Sequence, residues 1–290
     1  MGNAPQTMIG LELPDVDIWS ERVVVALGQN PSIFTGPGTN TYLVGTGPER
    51  ILLDTGQGVA EYLPVLDTAL EQAGCRIQEI VLTHGHVDHI GGAASVIERH
   101  GKLRVSKLPC DRFDTQSPVA ITPIADGDTV ETEGATLRAL HTPGHAEDHL
   151  CFVLEEEGSL FSGDNVLGIG TTVIPADGGD LLDYLESLDR LLGEVRTAIY
   201  PAHGPKIEDG RGKLREYIEH RLEREREIVA ALGGGCERIS EIVAEVYAAY
   251  PPSLHGPARM TVCSHLLKLA REGRARAEGD APLEARWSLV

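Results

Sequence analysis

The sequence lacks the features that would place it in a membrane or direct its export. No apolar run approaches the roughly 20 residues that a transmembrane helix needs. The first ten residues, MGNAPQTMIG, hold no basic segment followed by an apolar one, and Gln6 stands where myristoylation requires Ser or Thr. We therefore expect a cytoplasmic protein with no signal peptide and no membrane association.

Two reactive-site motifs are also missing. The chain has five cysteines, an odd count, and no CxxC pair, which indicates reduced thiols in a cytosolic protein. It has no GxSxG motif, so we expect no serine nucleophile of the kind that this motif presents.

Basic residues are scarce in the first part of the chain. Residues 206–290 hold 14 basic and 14 acidic residues, which cancel. The 11 basic and 30 acidic residues of 1–205 therefore carry the whole formal charge of −19. So acidic a surface does not attract polyanions. The contrast also predicts a boundary near residue 205.

Apolar patterning predicts sheets covered by helices in residues 1–205. Short β-branched and apolar runs bounded by Gly, Pro or Asn predict strands at 22–27, 41–44, 50–54, 79–83, 135–142, 149–156, 159–164 and 197–203. Amphipathic helices are predicted at 61–74 and 180–193. The expected class is α/β (α+β).

Residues after 206 have a different pattern. A long charged helix is predicted over 210–232, followed by helices over 239–250 and 256–273 and a short β-hairpin. This order is typical of a winged helix. We predict a catalytic domain over 1–205, a connecting helix over 206–232 and a winged-helix-like domain over 233–290.

The stretch THGHVDHIGG carries the main chemical signal. His84, His86 and Asp88 alternate along the chain, so an extended backbone would place them on one face, with His89 beyond the bend. Gly85 would leave the approach to these ligands uncrowded. Imidazole and carboxylate together suit Zn²⁺, and also Fe or Mn. So dense a cluster has little structural use and offers ligands for two adjacent cations.

Further ligands are expected at other strand ends. His145, Asp164 and His203 each follow a short apolar run beside Gly or Pro, and a carboxylate such as Asp164 can bridge two metals. Asp54 could orient a ligand histidine by a hydrogen bond. The other histidines are expected at the surface or in packing, with His149 closest to the site. The Gly-rich and Asn-containing segment 32–44 is expected to form a loop near it.

HGHVDH, His145, Asp164 and His203, in that order, resemble the metallo-β-lactamase superfamily. The resemblance covers about residues 20–205 and implies an αββα sandwich with metals at one edge of its two sheets. It implies a first ion held by His84, His86 and His145 and a second by Asp88, His89 and His203. Asp164 would bridge two Zn²⁺ ions that share a hydroxide. Asp88 is a candidate proton donor to the leaving group.

The resemblance bears on the substrate as well. β-Lactamases of the superfamily lack the bridging aspartate, so β-lactam hydrolysis would be a side activity at most. TPGHAEDH, FSGDNVLGIGTTV, YPAHGP and the tail HLLKLAREGRA are similar to the β-lactamase-like protein 2 group, which carries a C-terminal winged-helix-like domain. Its animal member is an endoribonuclease for single-stranded RNA, and some fungal relatives are thioesterases that release polyketides from carrier proteins.

The resemblance favours RNA cleavage, whereas the charge favours small acyl substrates. Two Zn²⁺ would leave a charge of about −15, which still repels RNA. Seven basic residues could compensate, but they alternate with Glu, which is typical of a solvated helix face. They are Lys206, Arg211, Lys213, Arg215, Arg221, Arg224 and Arg226. The prediction is a dinuclear zinc hydrolase for single-stranded RNA, with a thioesterase, lactonase or glyoxalase II-like enzyme as the alternative.

Two further alternatives stay open. Iron in the same ligand set could support oxygen chemistry, as in the persulfide dioxygenases of the superfamily. The winged helix could bind DNA, but the charge-neutral tail argues against DNA as a partner. We expect the tail to pack on the catalytic domain or to form a homodimer.

Overall fold

The computed structural model describes residue 8 and residues 10–115, 117–175, 177–252 and 255–290. Its strands are β1 Val16–Ser20, β2 Val23–Leu27, β3 Asn40–Val44, β4 Glu49–Leu53, β5 Arg76–Val81, β6 Val105–Lys107, β7 Ile121–Pro123, β8 Thr129–Thr132, β9 Ala135–His141, β10 Leu150–Leu154, β11 Ser159–Gly163, β12 Ile199–Pro201, β13 Ala275–Glu278 and β14 Arg286–Leu289. Its helices are α1 Tyr62–Ala73, α2 Val87–Ile90, α3 Ala93–His100, α4 Asp111–Asp114, α5 Leu181–Glu194, α6 Gly210–Gly233, α7 Ile239–Val246 and α8 His255–Arg271.

Two sheets form the centre of the molecule. The first contains β1 to β7 in chain order, antiparallel up to β4 and parallel from β4 to β7. The second has the order β12-β11-β10-β9-β8, with only the β11–β12 pair parallel. Side chains that alternate along the strands fill the space between the sheets, as Val23 and Val25 do on β2.

Helices cover the outer face of each sheet. Val24 and Ala26 point away from the inter-sheet core and pack with Leu66 of α1 and Val96 of α3. On the other side, α5 and α6 pack against the second sheet. Burying both faces of both sheets gives four layers, so the predicted αββα sandwich is confirmed.

The C-terminal residues form a core of their own. It joins the end of α6 to α7, α8 and the β13–β14 hairpin, with Trp287 only 2% exposed. The predicted winged-helix arrangement is therefore confirmed. Helix α8 also contacts α5 of the sandwich, which matches the expectation that the tail packs on the larger unit. The domain boundaries at 205 and 232 stay a proposal. Helix α6, Gly210–Gly233, packs with the second sheet at its start and with the C-terminal core at its end.

Several elements differ from the sequence-based expectation. The strands β1, β6, β7 and β8 were not predicted, and β6 and β7 have three residues each, too few for a clear alternating pattern. The helix predicted to reach Tyr250 ends at Val246. In the described part of the chain no helix has the length and apolarity of a membrane span.

Candidate metal centre

The ends of five strands meet at one edge of the sandwich. Each strand is followed within a few residues by a polar side chain that reaches the same place: Asp54 after β4, His84 after β5, His145 after β9, Asp164 after β11 and His203 after β12. The strands end together because the two sheets are stacked. The site is therefore built from segments far apart in sequence.

The HGHVDH segment is extended only in its first half. His86 has extended backbone and precedes α2, whose short turn carries Asp88 and His89. The expectation that Asp88 shares a face with His84 and His86 is therefore wrong. The helical turn directs Asp88 and His89 to a separate group of ligands. Gly85 also has another purpose, since a Cβ there would collide with Phe113 and not with the approach to the ligands.

The first group of potential ligands is His84, His86, His145 and Asp164. His86 Nδ1 lies 2.9 Å from His84 Nε2 and 3.0 Å from His145 Nε2. His145 Nε2 lies 3.4 Å from Asp164 Oδ2. Three imidazole nitrogens that converge in this way cannot all be satisfied by one another's protons. A cation that accepts their lone pairs satisfies them together.

The second group is Asp88, His89, Asp164 and His203. His203 Nε2 lies 3.3 Å from Asp88 Oδ2 and 3.1 Å from Asp164 Oδ1. His89 Nε2 lies 3.6 Å and 3.4 Å from the same two oxygens. Asp164 thus faces the first group with one oxygen and the second with the other. This is the arrangement that a bridging carboxylate needs.

Two buried atoms indicate that the second group is incomplete without a cation. Among the described residues, His89 Nε2 and Asp164 Oδ1 are buried and lie close to other ligand atoms, but neither makes a hydrogen bond of good geometry. Buried polar atoms nearly always have a partner. A divalent metal site therefore fits this group.

Outer hydrogen bonds fix the orientation of the histidines. The Nδ1 atom of His145 donates to Val173 O at 2.9 Å, that of His203 to Gly38 O at 3.3 Å, and that of His89 to Asp54 Oδ2 at 2.8 Å. With Nδ1 carrying the proton, Nε2 presents a lone pair to the centre. His86 differs, since its Nδ1 faces the other ligands.

The two groups of ligands differ in the charge that their histidines carry. Burial lowers the pKa of His86 to about 4, which leaves a neutral ring with a free lone pair. Burial also lowers the pKa of His203, but the Asp164 and Asp88 carboxylates together outweigh it and the pKa rises to about 9. The carboxylates thus favour positive charge at the second group, and a divalent cation provides it.

His149 lies beside the site, as expected of it among the remaining histidines, but no role there was predicted for it. It is fully buried, and its Nε2 accepts a hydrogen bond from Asp164 N at 3.1 Å. Its ring centroid lies 5.0 Å from that of His84. It holds the backbone of Asp164 and takes no place in either ligand group. Its position four residues after His145 was the only signal, and packing histidines give the same signal.

Asp54, expected to orient a ligand histidine, lies behind His89. Its backbone φ is 58°, a left-handed conformation that Asp tolerates better than most residues. Its carboxylate also accepts from Thr83 N at 2.8 Å and from Thr83 Oγ1 at 2.9 Å. This buried network fixes the ring of His89 with Nε2 toward the centre.

We expect Asp54→Asn to weaken binding of one metal ion about 10- to 100-fold, because the amide is a poorer partner for the imidazole N–H. Asn also tolerates the left-handed backbone, so the fold should persist. Competition with a chelating dye measures the affinity, and Asp126→Asn, at a surface ion pair with Arg190, is the control. Unchanged affinity for both ions would contradict the role of Asp54.

A cavity of about 520 Å³ opens above the centre. Its lining residues are Ser32, Phe34, Thr35, Gln57, His86, Val87, Asp88, His145, Asp164, Val173, Pro175, Asp177 and His203. Part of the segment predicted to form a loop near the site therefore lies in its wall. Ile33, Phe34 and Val87 are 70%, 62% and 62% exposed, so the region around the mouth is apolar.

Comparison with known proteins agrees with this geometry. Residues 34–203 match the family described as the metallo-beta-lactamase superfamily, and residues 239–287 match the beta-lactamase associated winged helix domain. A metallo-beta-lactamase family protein from Thermus thermophilus is similar in structure, with a TM-score of 0.75 and 26% identity over 92% of this chain and 98% of that one. A beta-lactamase domain protein from Burkholderia ambifaria shares the fold, with a TM-score of 0.81 and 20% identity over 97% and 96% of the chains.

Curated relatives are similar over almost the whole length. The lactamase-like protein adaB of Aspergillus niger is 41% identical over 96% of this chain and 89% of its own. Proteins named atrochrysone carboxyl ACP thioesterase are 39% identical in Aspergillus chevalieri and 40% identical in Passalora fulva, over 96% of this chain and 90% and 84% of theirs. The chain belongs to the metallo-beta-lactamase superfamily of hydrolases and carries a beta-lactamase-associated winged helix domain at its C-terminal end.

Proposed function

We propose that this protein hydrolyses acyl thioesters, releasing a carboxylic acid and a thiol. The observation that carries the proposal is the near full-length similarity to relatives named ACP thioesterases. The alternative expected from the sequence, an acyl hydrolase, is thereby favoured over RNA cleavage. The chemistry is compatible with either substrate, so the wall of the cavity must decide between them.

The cavity wall favours an apolar, uncharged substrate. Its described lining residues include the carboxylates Asp88, Asp164 and Asp177 and neither Lys nor Arg. Nucleic-acid sites need cations to neutralise phosphates. Phe34 and Val87 at the mouth, with Val173 and Pro175, provide apolar surface for an acyl chain or ring. We therefore propose a substrate whose acyl group is largely apolar.

We propose two Zn²⁺ ions, held by the two groups of ligands with Asp164 between them. Bound zinc would polarise the thioester carbonyl and make water nucleophilic at neutral pH. The histidines hold their lone pairs inward through their outer hydrogen bonds. Asp88 lines the cavity within 3.3 Å of His203 and is the proposed carrier of the proton to the departing sulfur. Phe34 and Val87 at the mouth of the cavity would contact the acyl group and shield the reacting carbonyl from bulk water.

A paired substrate assay tests the proposal. Zinc-loaded protein is given N-acetylcysteamine thioesters of short, long and aromatic acids, and separately a labelled single-stranded RNA at low salt. We expect thiol release that increases with the apolar surface of the acyl group and stops with chelator. We expect RNA to stay intact. RNA cleavage with no thioester turnover would overturn the proposal in favour of a ribonuclease.

The metal requires its own measurement, since imidazole and carboxylate ligands also bind Fe and Mn. Mass-spectrometric metal analysis of the purified protein should find two equivalents of zinc. Two equivalents of iron, with visible colour, would instead favour the dioxygenase-like alternative.

A further inference from the structure

The segment 167–175, called the strap here, forms hydrogen bonds with one histidine of each group of ligands. It has no helix or strand. Near its end, Val173 O accepts the hydrogen bond from His145 Nδ1, and near its start Gly168 N donates to His203 O at 2.8 Å. The hydroxyl of Thr172 also lies 3.2 Å from His145 Nδ1. The position of the strap therefore sets the orientation of His145.

Side chains from the C-terminal helices hold the strap. Tyr217 of α6 accepts a hydrogen bond from Leu167 N at 2.9 Å and donates one to Gly170 O at 2.8 Å. Arg221, one turn further along α6, donates from Nη2 to Thr172 O at 2.6 Å. Ser264 of α8 lies with its Oγ 2.7 Å from Ile174 O. These three side chains are only 1%, 3% and 5% exposed, so water competes little with their bonds.

Arg221 is the most informative of the three. The alternation of Arg with Glu predicted a solvated face for it, and that prediction is wrong. Among the described residues, no carboxylate forms an ion pair with Arg221, whose guanidinium lies 5.5 Å from the centroid of the Tyr184 ring. Burial of a charge without a counterion is costly. A buried charge that is bonded to a carbonyl of the strap points to a role beyond packing.

We propose that Arg221 is a positioning residue for the metal ligand His145. By fixing the carbonyl of Thr172, it fixes the next peptide, whose carbonyl orients the imidazole. Helix α6 thus contributes to the metal centre without touching a metal. This inference rests on His145 as a ligand and not on the identity of the substrate, so the thioester proposal can fail without it.

Metal affinity of Arg221→Met tests the proposal. Metal-free protein is titrated with Zn²⁺ against a chelating dye, which resolves the two ions. We expect one ion to bind about 10-fold or more weakly and the other to be nearly unaffected, as with other residues that orient a ligand histidine. Ser264→Ala should shift the same ion by less. Arg221→Lys, which keeps a charged donor, should recover part of the affinity.

Arg224→Met is the matched control. Arg224 lies on the same helix and is 8% exposed, but its Nη1 donates to Val246 O at 3.2 Å, away from the strap. We expect it to lower the melting temperature without changing the zinc affinity. The proposal is overturned if both arginine variants weaken zinc equally, or if Arg221→Met and Ser264→Ala bind both ions like the wild type.

Discussion

Asp164→Ala is expected to lose at least about 1000-fold in turnover, because the polarising effect of the metals is worth several kcal/mol of the barrier. The reason lies in the two oxygens of this carboxylate. Oδ2 is 3.4 Å from His145 Nε2 in the first group, and Oδ1 is 3.1 Å from His203 Nε2 in the second. Replacing one residue therefore removes a ligand from both groups, and two bound cations would lose their shared negative charge.

Metal content distinguishes this loss from a general disturbance. We expect the Asp164→Ala protein to retain fewer than two zinc equivalents after dialysis, with an unchanged circular dichroism spectrum. Asp177→Asn is the control, since Asp177 lines the same cavity but belongs to neither ligand group. It should bind two ions. Two tightly bound ions and normal turnover in Asp164→Ala would refute the bridging role.

The chemistry of the site could be predicted from sequence because metal ligation depends on residue type. HGHVDH is conspicuous since few other purposes need three histidines and an aspartate so close together. His145, Asp164 and His203 could be found because each follows a short apolar run and so lies at a strand end. The prediction that was wrong concerned local geometry: Asp88 does not share a face with His84 and His86, because it lies in the helical turn of α2, Val87–Ile90.

Contacts between distant segments could not be predicted in the same way. In the sequence, Arg221 is one of many charged residues on an amphipathic helix. Its hydrogen-bond partner Thr172 is 49 residues away. The pattern of α6 shows a helix but not that a second unit covers part of its polar face. The substrate stayed open for a related reason. One metal centre serves several hydrolytic reactions, and the cavity wall that separates them is assembled by the fold.

Lys107, in the core, is another residue whose contacts could not be predicted from the sequence. It ends β6 and is completely buried, yet its sequence context is an ordinary short strand. Its Nζ lies 2.6 Å from Asp148 Oδ2, 2.9 Å from Asp114 Oδ1 and 2.7 Å from Leu108 O. The contacts with Asp148 and Leu108 O are hydrogen bonds, and the contact with Asp114 is an ion pair. The contacts tie the first sheet to the loop that carries His145 and to α4, whose Phe113 packs on His86.

We expect Lys107→Met to lower the free energy of unfolding by about 3–5 kcal/mol, because it leaves Asp148 buried without its counterion. Urea denaturation of metal-free protein measures this without a contribution from bound zinc. Arg99→Met, at an exposed ion pair with Asp67, should leave the midpoint nearly unchanged. A similarly small effect of Lys107→Met would show that the buried pair contributes little.

A double variant and the pH dependence of unfolding show whether the unpaired Asp148 carboxylate causes the loss of stability in Lys107→Met. Lys107→Met combined with Asp148→Asn should recover much of the lost stability, because the carboxylate that still lacks a counterion is then that of Asp114, whose side chain is partly exposed. Burial already raises the pKa of Asp148, against the opposing effect of Lys107, and loss of Lys107 should raise it further. When the pKa of a carboxyl is higher in the folded than in the unfolded state, the folded state takes up the proton more readily. Its free energy of unfolding therefore rises as the pH falls. The difference between Lys107→Met and wild type should therefore shrink from pH 7 toward acid, and a constant difference would point to lost packing instead.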